Sequence, residues 1–383
     1  MKPVIHLALT HDWELRGDGS GDIEQIQFAP MRRLLKLYGA FGIRTTFLPD
    51  VMQQLAFRQL ESRHPELRKL ADSWDQHVRD AYQQGHDVQL HLHSQWIDAV
   101  YDSGKWQLRG KWSILDYEPG VAYRMLESSK EYLQRTLVSI DPGYRCQAFR
   151  ASALAIAPSP HLLQQLVNLG ITLEVSLAPG LHLNTQHLQL DYRECDSTFL
   201  PFYPQMDDAR RISRNREPII CAPIHTFRAS RYGVSKQNLS LVGKKIKKDA
   251  TVMLSRGDQK TAEDYGNEQW LPKGRSSRLA QAYEKVILPG LKGKHFVSDT
   301  ARLNYSLLSE MLKDIRRRAS AYGFAQVPVV LINHPKEISD YTAIERFISE
   351  AARADDIKFI TLSELASKLQ NGDFYVARRS DNQ

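Results

Sequence analysis

The chain has 383 residues, 42% of them hydrophobic and 25% charged, with a net charge of +7. That balance is globular and excludes a disordered, collagen-like or disulfide-scaffold chain. No apolar run reaches the roughly 20 residues of a membrane-spanning helix, and three scattered cysteines (Cys146, Cys195, Cys221) without a C-x-x-C pair argue for free thiols.

The elements follow in order. Val4 to Thr10 (VIHLALT) reads as a buried strand. It meets His11, Asp12 and Glu14 where a secretory signal would end in small residues, so a cytoplasmic location is expected. Pro30 to Phe41 has helical spacing, with Met31, Leu34, Leu35 and Tyr38 on one face, and stops at Gly42 before a strand at Ile43 to Leu48. This β-α-β unit implies parallel strands. The rhythm repeats: a helix over Leu67 to Gln84, a strand Asp87 to His91, a helix Val121 to Leu137, a strand Gln147 to Arg150, a helix Pro160 to Leu169 and a strand Ile171 to Ser176. Pro218 to Ala222 is another apolar strand. A helix Leu303 to Tyr322, a strand Val327 to Asn333, a helix Tyr341 to Ala354, a strand Ile357 to Thr361 and a last helix after Ser363 complete the series. About eight strands alternating with helices predict an α/β barrel or a doubly wound sheet.

Between about Thr198 and Thr300 periodicity weakens and Pro, Gly, Lys and Arg accumulate, which reads as a long insertion over one rim. Its positive charge gathers at Arg210, Arg211, Arg214 and Arg216 and at Lys244, Lys245, Lys247 and Lys248. Such clusters are either solvated loops or sites for phosphate-bearing ligands. There is no nucleic-acid motif, so no nucleic-acid partner is expected. The organisation expected is one domain over 1–375, an insertion at about 200–300, and a frayed tail at 376–383 after Asn371.

Active sites in α/β sheets lie at the C-terminal ends of the strands. The first strand ends in Thr10-His11-Asp12-Trp13-Glu14, the third in His91-Leu92-His93, the fourth in Arg150 and the seventh in Asn333-His334-Pro335. Residues two apart on a strand share a side, so Asp12 with Glu14 and His91 with His93 form two pairs that could surround one cation, zinc or another first-row metal. Each piece alone has a plain reading: a polar strand edge for the H-x-H pair, a turn cluster for Asp12 and Glu14, a structural ion pair for Arg150, a loop start for His334. His11 reads as a strand-end surface or supporting residue. Together the set favours a metal-assisted hydrolase with a general base and a general acid.

In this order the motifs resemble the polysaccharide deacetylase superfamily, carbohydrate esterase family four and its relatives. LTHDWE matches the aspartate motif, GIRTTFLPD the following strand, GHDVQLHLHSQW (Gly85 to Trp96) the "GHEIGxH" motif, FRASA (Phe149 to Ala153) the arginine motif and LINHPKE (Leu331 to Glu337) the last histidine motif. GITLEVSLAPG (Gly170 to Gly180) also looks like the family's segment after the arginine motif. The resemblance spans most of 1–200 and 300–370 and omits the basic stretch. It implies an irregular (β/α) barrel of seven or eight strands. It implies that Asp12 is the general base toward water, Arg150 its holder, His334 the general acid, and His91 a metal ligand. The family usually has a second aspartate beside the first, where Trp13 stands here, so Glu14 is the candidate ligand. Its second metal histidine usually lies four residues after the first, where Gln95 stands here, and His93 is the candidate substitute. The usual proline of the third motif is absent, with Ser152 in that region.

The implied activity is hydrolysis of an amide bond, removing an N-acyl (acetyl) group from an amino sugar with a divalent metal, zinc first. A nucleotide- or lipid-linked intermediate of surface polysaccharide assembly suits the expected location. Alternatives are amide or cyclic-imide hydrolysis on a non-sugar substrate, or an inactive carbohydrate-binding relative. Trp13 and Trp96, then Trp106 and Trp112, are candidates to stack on a sugar face; rim packing is the plain alternative.

Overall fold

The computed structural model describes residues 2–237 and 294–379. Its first strand, β1 (Val4–Trp13), is buried from Ile5 onward. A parallel strand covered on both faces needs this near-continuous apolar run. It is followed by α1 (Ala29–Ala40), β2 (Thr46–Pro49), α2 (Val51–Leu60), α3 (Pro65–Gln83), and two short strands, β3 (Asp87–Val88) and β4 (Leu90–Leu92). Next come α4 (Pro119–Val138), β5 (Ala148–Ala151), α5 (Leu162–Asn168), β6 (Leu173–Glu174) and β7 (Ile220–Cys221). After β8 (Thr226–Ala229) and β9 (Lys294–Val297), the chain closes with α6 (Tyr305–Tyr322), β10 (Gln326–Asn333), α7 (Tyr341–Ala352), β11 (Ile357–Phe359) and α8 (Leu362–Gln370).

The architecture is mixed α/β with parallel sheets. One sheet runs β10-β1-β2-β3, with β11 also paired to β1; the other runs β7-β6-β5-β4. On one edge β1 pairs with β10 from Val4 to His11, and on the other with β11 near its start and β2 near its end. The predicted single ring is therefore not drawn by continuous ladders among the described residues. Single parallel bridges, Asp50↔His91 and Ile224↔Val330, join the two sheets.

Helix α6 shows why the elements form. Leu307, Leu308, Met311, Leu312, Ile315 and Ala319 bury one stripe at spacings of three and four. Each large member contributes about 1.5–3 kcal/mol on burial. The Asn304 side chain caps its first turn, and Gly323 follows in the left-handed region (φ 72°).

Two expectations change, and one element is added. Helix α2, capped by Asp50, was not anticipated. The stretch after Asn371, expected to fray, is tied down as far as Arg379: Phe374 is buried, the Ala377 amide donates to Pro201 O and the Arg379 amide to Ser213 O. The supposed insertion is ordered at both flanks. Pro204–Gln205 pairs with Asp208–Ile212, β8 pairs with β9, and Asp299 bridges Ile332. Residues 238–293, including Lys244, Lys245, Lys247 and Lys248, and the tail from 380 lie outside the described residues.

Candidate metal and acid–base site

Alternation along β1 puts Thr10, Asp12 and Glu14 on one face, at the end where β2, β4 and β5 also finish. Glu14, His91 and His93 meet there, all buried, with one donor atom from each lying within 4.8 Å of the others. Glu14 Oε2 faces both imidazoles: His91 Nε2 at 2.8 Å, and His93 Nε2 in closer contact. His91 Nδ1 donates to the Arg150 carbonyl at 2.8 Å, which turns Nε2 toward the centre. The His93 amide donates to Asp50 Oδ1 at 2.9 Å, so the cap of α2 also fixes the strand carrying both histidines.

Burial alone would push His91 down, but the hydrogen bond that its Nε2–H donates to Glu14 and the charges of Asp12, Glu14 and Asp50 lift it to about 9. Burial would raise Glu14, yet His93, Lys336 and His91 hold it well below the carboxylate range. Two imidazole nitrogens and a carboxylate oxygen, with the His91 ring fixed from behind by the Arg150 carbonyl, form a donor set suited to zinc or a similar ion, and these residues fit such a group.

Beside this triad stands a second assembly. Arg150 is fully buried and donates to Asp12 Oδ1 at 2.6 Å, to Thr10 Oγ1 at 2.7 Å and to Val175 O at 2.9 Å. The other Asp12 oxygen, Oδ2, lies 3.6 Å from His334 Nε2. His334 Nδ1 donates to Asp299 Oδ2 at 2.7 Å. Burial raises Asp12, but Arg150, His91 and His334 lower it further, leaving it ionised. Burial lowers His334, but the charge and hydrogen bond of Asp299 outweigh this and raise it above 6.5. A carboxylate held toward its ionised form thus faces an imidazole whose protonated form is favoured, the pairing that base and acid roles require.

All six predicted site residues, Asp12, Glu14, His91, His93, Arg150 and His334, come together. Sequence reasoning missed three others: Asp299, Asp50 and Lys336. Lys336 Nζ donates to Glu14 Oε1 at 2.5 Å and to Leu15 O at 3.1 Å. Gln95 is buried with both amide atoms unpartnered.

Other expectations need correction. His11 is not on the surface: it alternates to the opposite face of β1 and is buried against Phe47, with ring centroids 4.7 Å apart, and Tyr38. Burial pushes it down to about 3. Trp13 likewise alternates away, donating Nε1 to Gln27 O and packing on Trp74 and Phe28; Trp96 is buried against Phe57 and Trp106. Neither offers a face to a sugar. Trp106 and Trp112 are half-buried. Trp112 lies between the loops leaving β1 and β5: its carbonyl accepts from Ser152 Oγ at 2.9 Å, and its ring reaches Gly17 so closely that an added Cβ there would stand 2.6 Å from Cη2. The arginine cluster is largely paired: Arg210 with Asp208, Arg211 with Asp196, and Arg216 with the Gln370 carbonyl. Among the described residues no helix is long and apolar enough to cross a membrane.

No family model and no curated protein matches the chain. Solved structures that resemble it include a Mycobacterium smegmatis protein provisionally named a polysaccharide deacetylase (14% identity, TM-score 0.47, covering 98% of this chain and 93% of that one). Another is the 4-alpha-glucanotransferase of Thermococcus litoralis (10% identity, TM-score 0.46, 96% of this chain and 41% of that one). A third is PuuE allantoinase (12% identity, TM-score 0.45, 98% and 93%).

Proposed function

We propose that the protein is a metal-dependent amide hydrolase that removes an N-acyl group from an amino sugar. The observation that carries this reading is the facing pair Asp12 and His334, 3.6 Å apart, beside the Glu14, His91 and His93 donor triad. A divalent metal held by those three would polarise the acyl carbonyl and acidify water.

The chain's own residues supply the proton traffic. Arg150 grips Oδ1 of Asp12 and leaves Oδ2 to accept the proton of the attacking water. Once the new C–O bond has opened the carbonyl to a tetrahedral centre, its collapse must break the C–N bond, and an amine anion is a very poor leaving group. His334, anchored through Nδ1 by Asp299, presents Nε2–H to that nitrogen and delivers the proton. Trp112, rather than Trp13 or Trp96, is the candidate ring for a sugar face.

A nucleotide- or lipid-linked sugar remains the proposed substrate form. The test is release of free acid from a panel of N-acetylated amino sugars, with and without phosphate, set beside ureides and cyclic imides. Turnover of the sugars alone supports the proposal. Turnover of the imides alone moves the activity to the non-sugar alternative, and no turnover of any member with no bound metal favours an inactive binding protein. The variant His334→Ala is expected to lose at least a hundredfold in turnover, the order of one general acid, with metal content unchanged.

A further inference from the structure

The strongest unassigned feature is Lys336. Its side chain is 10% exposed, yet its ammonium sits on the very carboxylate that faces the two histidines. The two contacts fall on different oxygens: Lys336 takes Glu14 Oε1, and His91 and His93 take Oε2. A second bond to the Leu15 carbonyl fixes the ammonium in place. Lys336 also stands two residues after His334, so one short turn carries both groups into the site.

We infer that Lys336 is a positioning residue that restricts Glu14 to one metal-binding oxygen and lowers the affinity of the site for its cation. This rests on the proposed metal reading of the site. A carboxylate can hold a cation through one oxygen or both. With Oε1 committed to an ammonium, only Oε2 is available to a metal. The ammonium would also set a fixed positive charge close to any divalent ion held on Oε2, in surroundings that screen it poorly. Both effects weaken ligation and leave the metal a stronger Lewis acid toward its remaining ligand, since Glu14 donates less charge.

The test compares the 383-residue wild type, Lys336→Met and Lys336→Gln after chelator treatment and its removal. Zinc affinity is measured by competition titration at pH 8, and coordination is read from the visible absorption of the cobalt(II)-substituted proteins. Methionine removes charge and donor together; glutamine removes the charge and keeps a donor for Glu14 Oε1. Both variants are expected to bind zinc about tenfold or more tightly, a Coulombic consequence of deleting the charge. Only the methionine variant is expected to show the weaker cobalt band of a higher coordination number, because only there is Oε1 released. Zinc affinity unchanged or weakened in both variants, with the wild-type cobalt spectrum, overturns the inference while the metal reading stands. A wild type that takes up no zinc or cobalt overturns the metal reading itself, and this inference with it. Should the methionine variant fail to fold, the glutamine variant still decides through its zinc affinity.

Discussion

Asp299→Asn is the perturbation that most sharply tests the assignment of His334. Asp299 accepts from His334 Nδ1 at 2.7 Å and its side chain is 5% exposed, so water screens the contact little. A hydrogen bond to a charged group contributes about 1.5–3 kcal/mol and a neutral one about 0.5–1.5. Replacing the carboxylate with an amide therefore removes about 1–1.5 kcal/mol that favours the protonated ring. At 1.36 kcal/mol per pKa unit, the His334 pKa should fall by about one. The linkage has a definite sign. His334 is raised in the fold, so its contribution to stability is present below 6.5 and is lost as the pH rises through the folded value. The variant should thus be less stable than wild type by about 1–1.5 kcal/mol near pH 6. That difference should shrink on the alkaline side. The assay is an NMR titration of the His334 Cε1 proton in metal-free protein, with urea unfolding at several pH values beside it. In an activity assay the alkaline limb should move acidward by the same amount. A His334 midpoint that is the same in both proteins refutes the claim that Asp299 holds the acid in its charged form.

Other consequences follow from the same contacts. Arg150→Met leaves Asp12, Thr10 and the Val175 carbonyl without their shared donor in a fully buried place; a loss of about 3–5 kcal/mol is expected in urea unfolding, and a loss below 1 would contradict it. Glu174 is buried and its burial lifts it from 4.5 to about 7, despite the Ser176 amide on one oxygen. A carboxyl raised in the fold stabilises when protonated, so stability should decline by about 3 kcal/mol as the pH rises from 4.5 to 7. Glu174→Gln should remove that decline, seen as a flatter pH profile of the unfolding midpoint.

Much of the site was legible because parallel strands end at the functional mouth and side chains alternate. That rule alone selected Asp12 with Glu14 and His91 with His93. Applied strictly, it would also have excluded His11 and Trp13, whose parity sends them to the far face of β1, and it would have pointed sugar stacking away from Trp13. Asp50 was visible as a strand-end acid before an apolar, helix-spaced run (VMQQLAFRQL), the signature of a helix cap that went unread. Asp299 was hidden for another reason. It reaches the site from a stretch with weak periodicity, through one bridge to Ile332 that no local pattern encodes. Lys336 lies in a short turn after β10, and only the tertiary approach of that turn to β1 brings its ammonium to Glu14.

The measurement that bears most directly on the whole account is a diffraction experiment at the zinc absorption edge, on crystals grown with one equivalent of zinc. The account predicts one anomalous peak about 2.0–2.2 Å from Glu14 Oε2, His91 Nε2 and His93 Nε2, with Asp12 and His334 flanking it. Strong zinc peaks elsewhere, with Glu14 still bonded directly to both histidines, would contradict it.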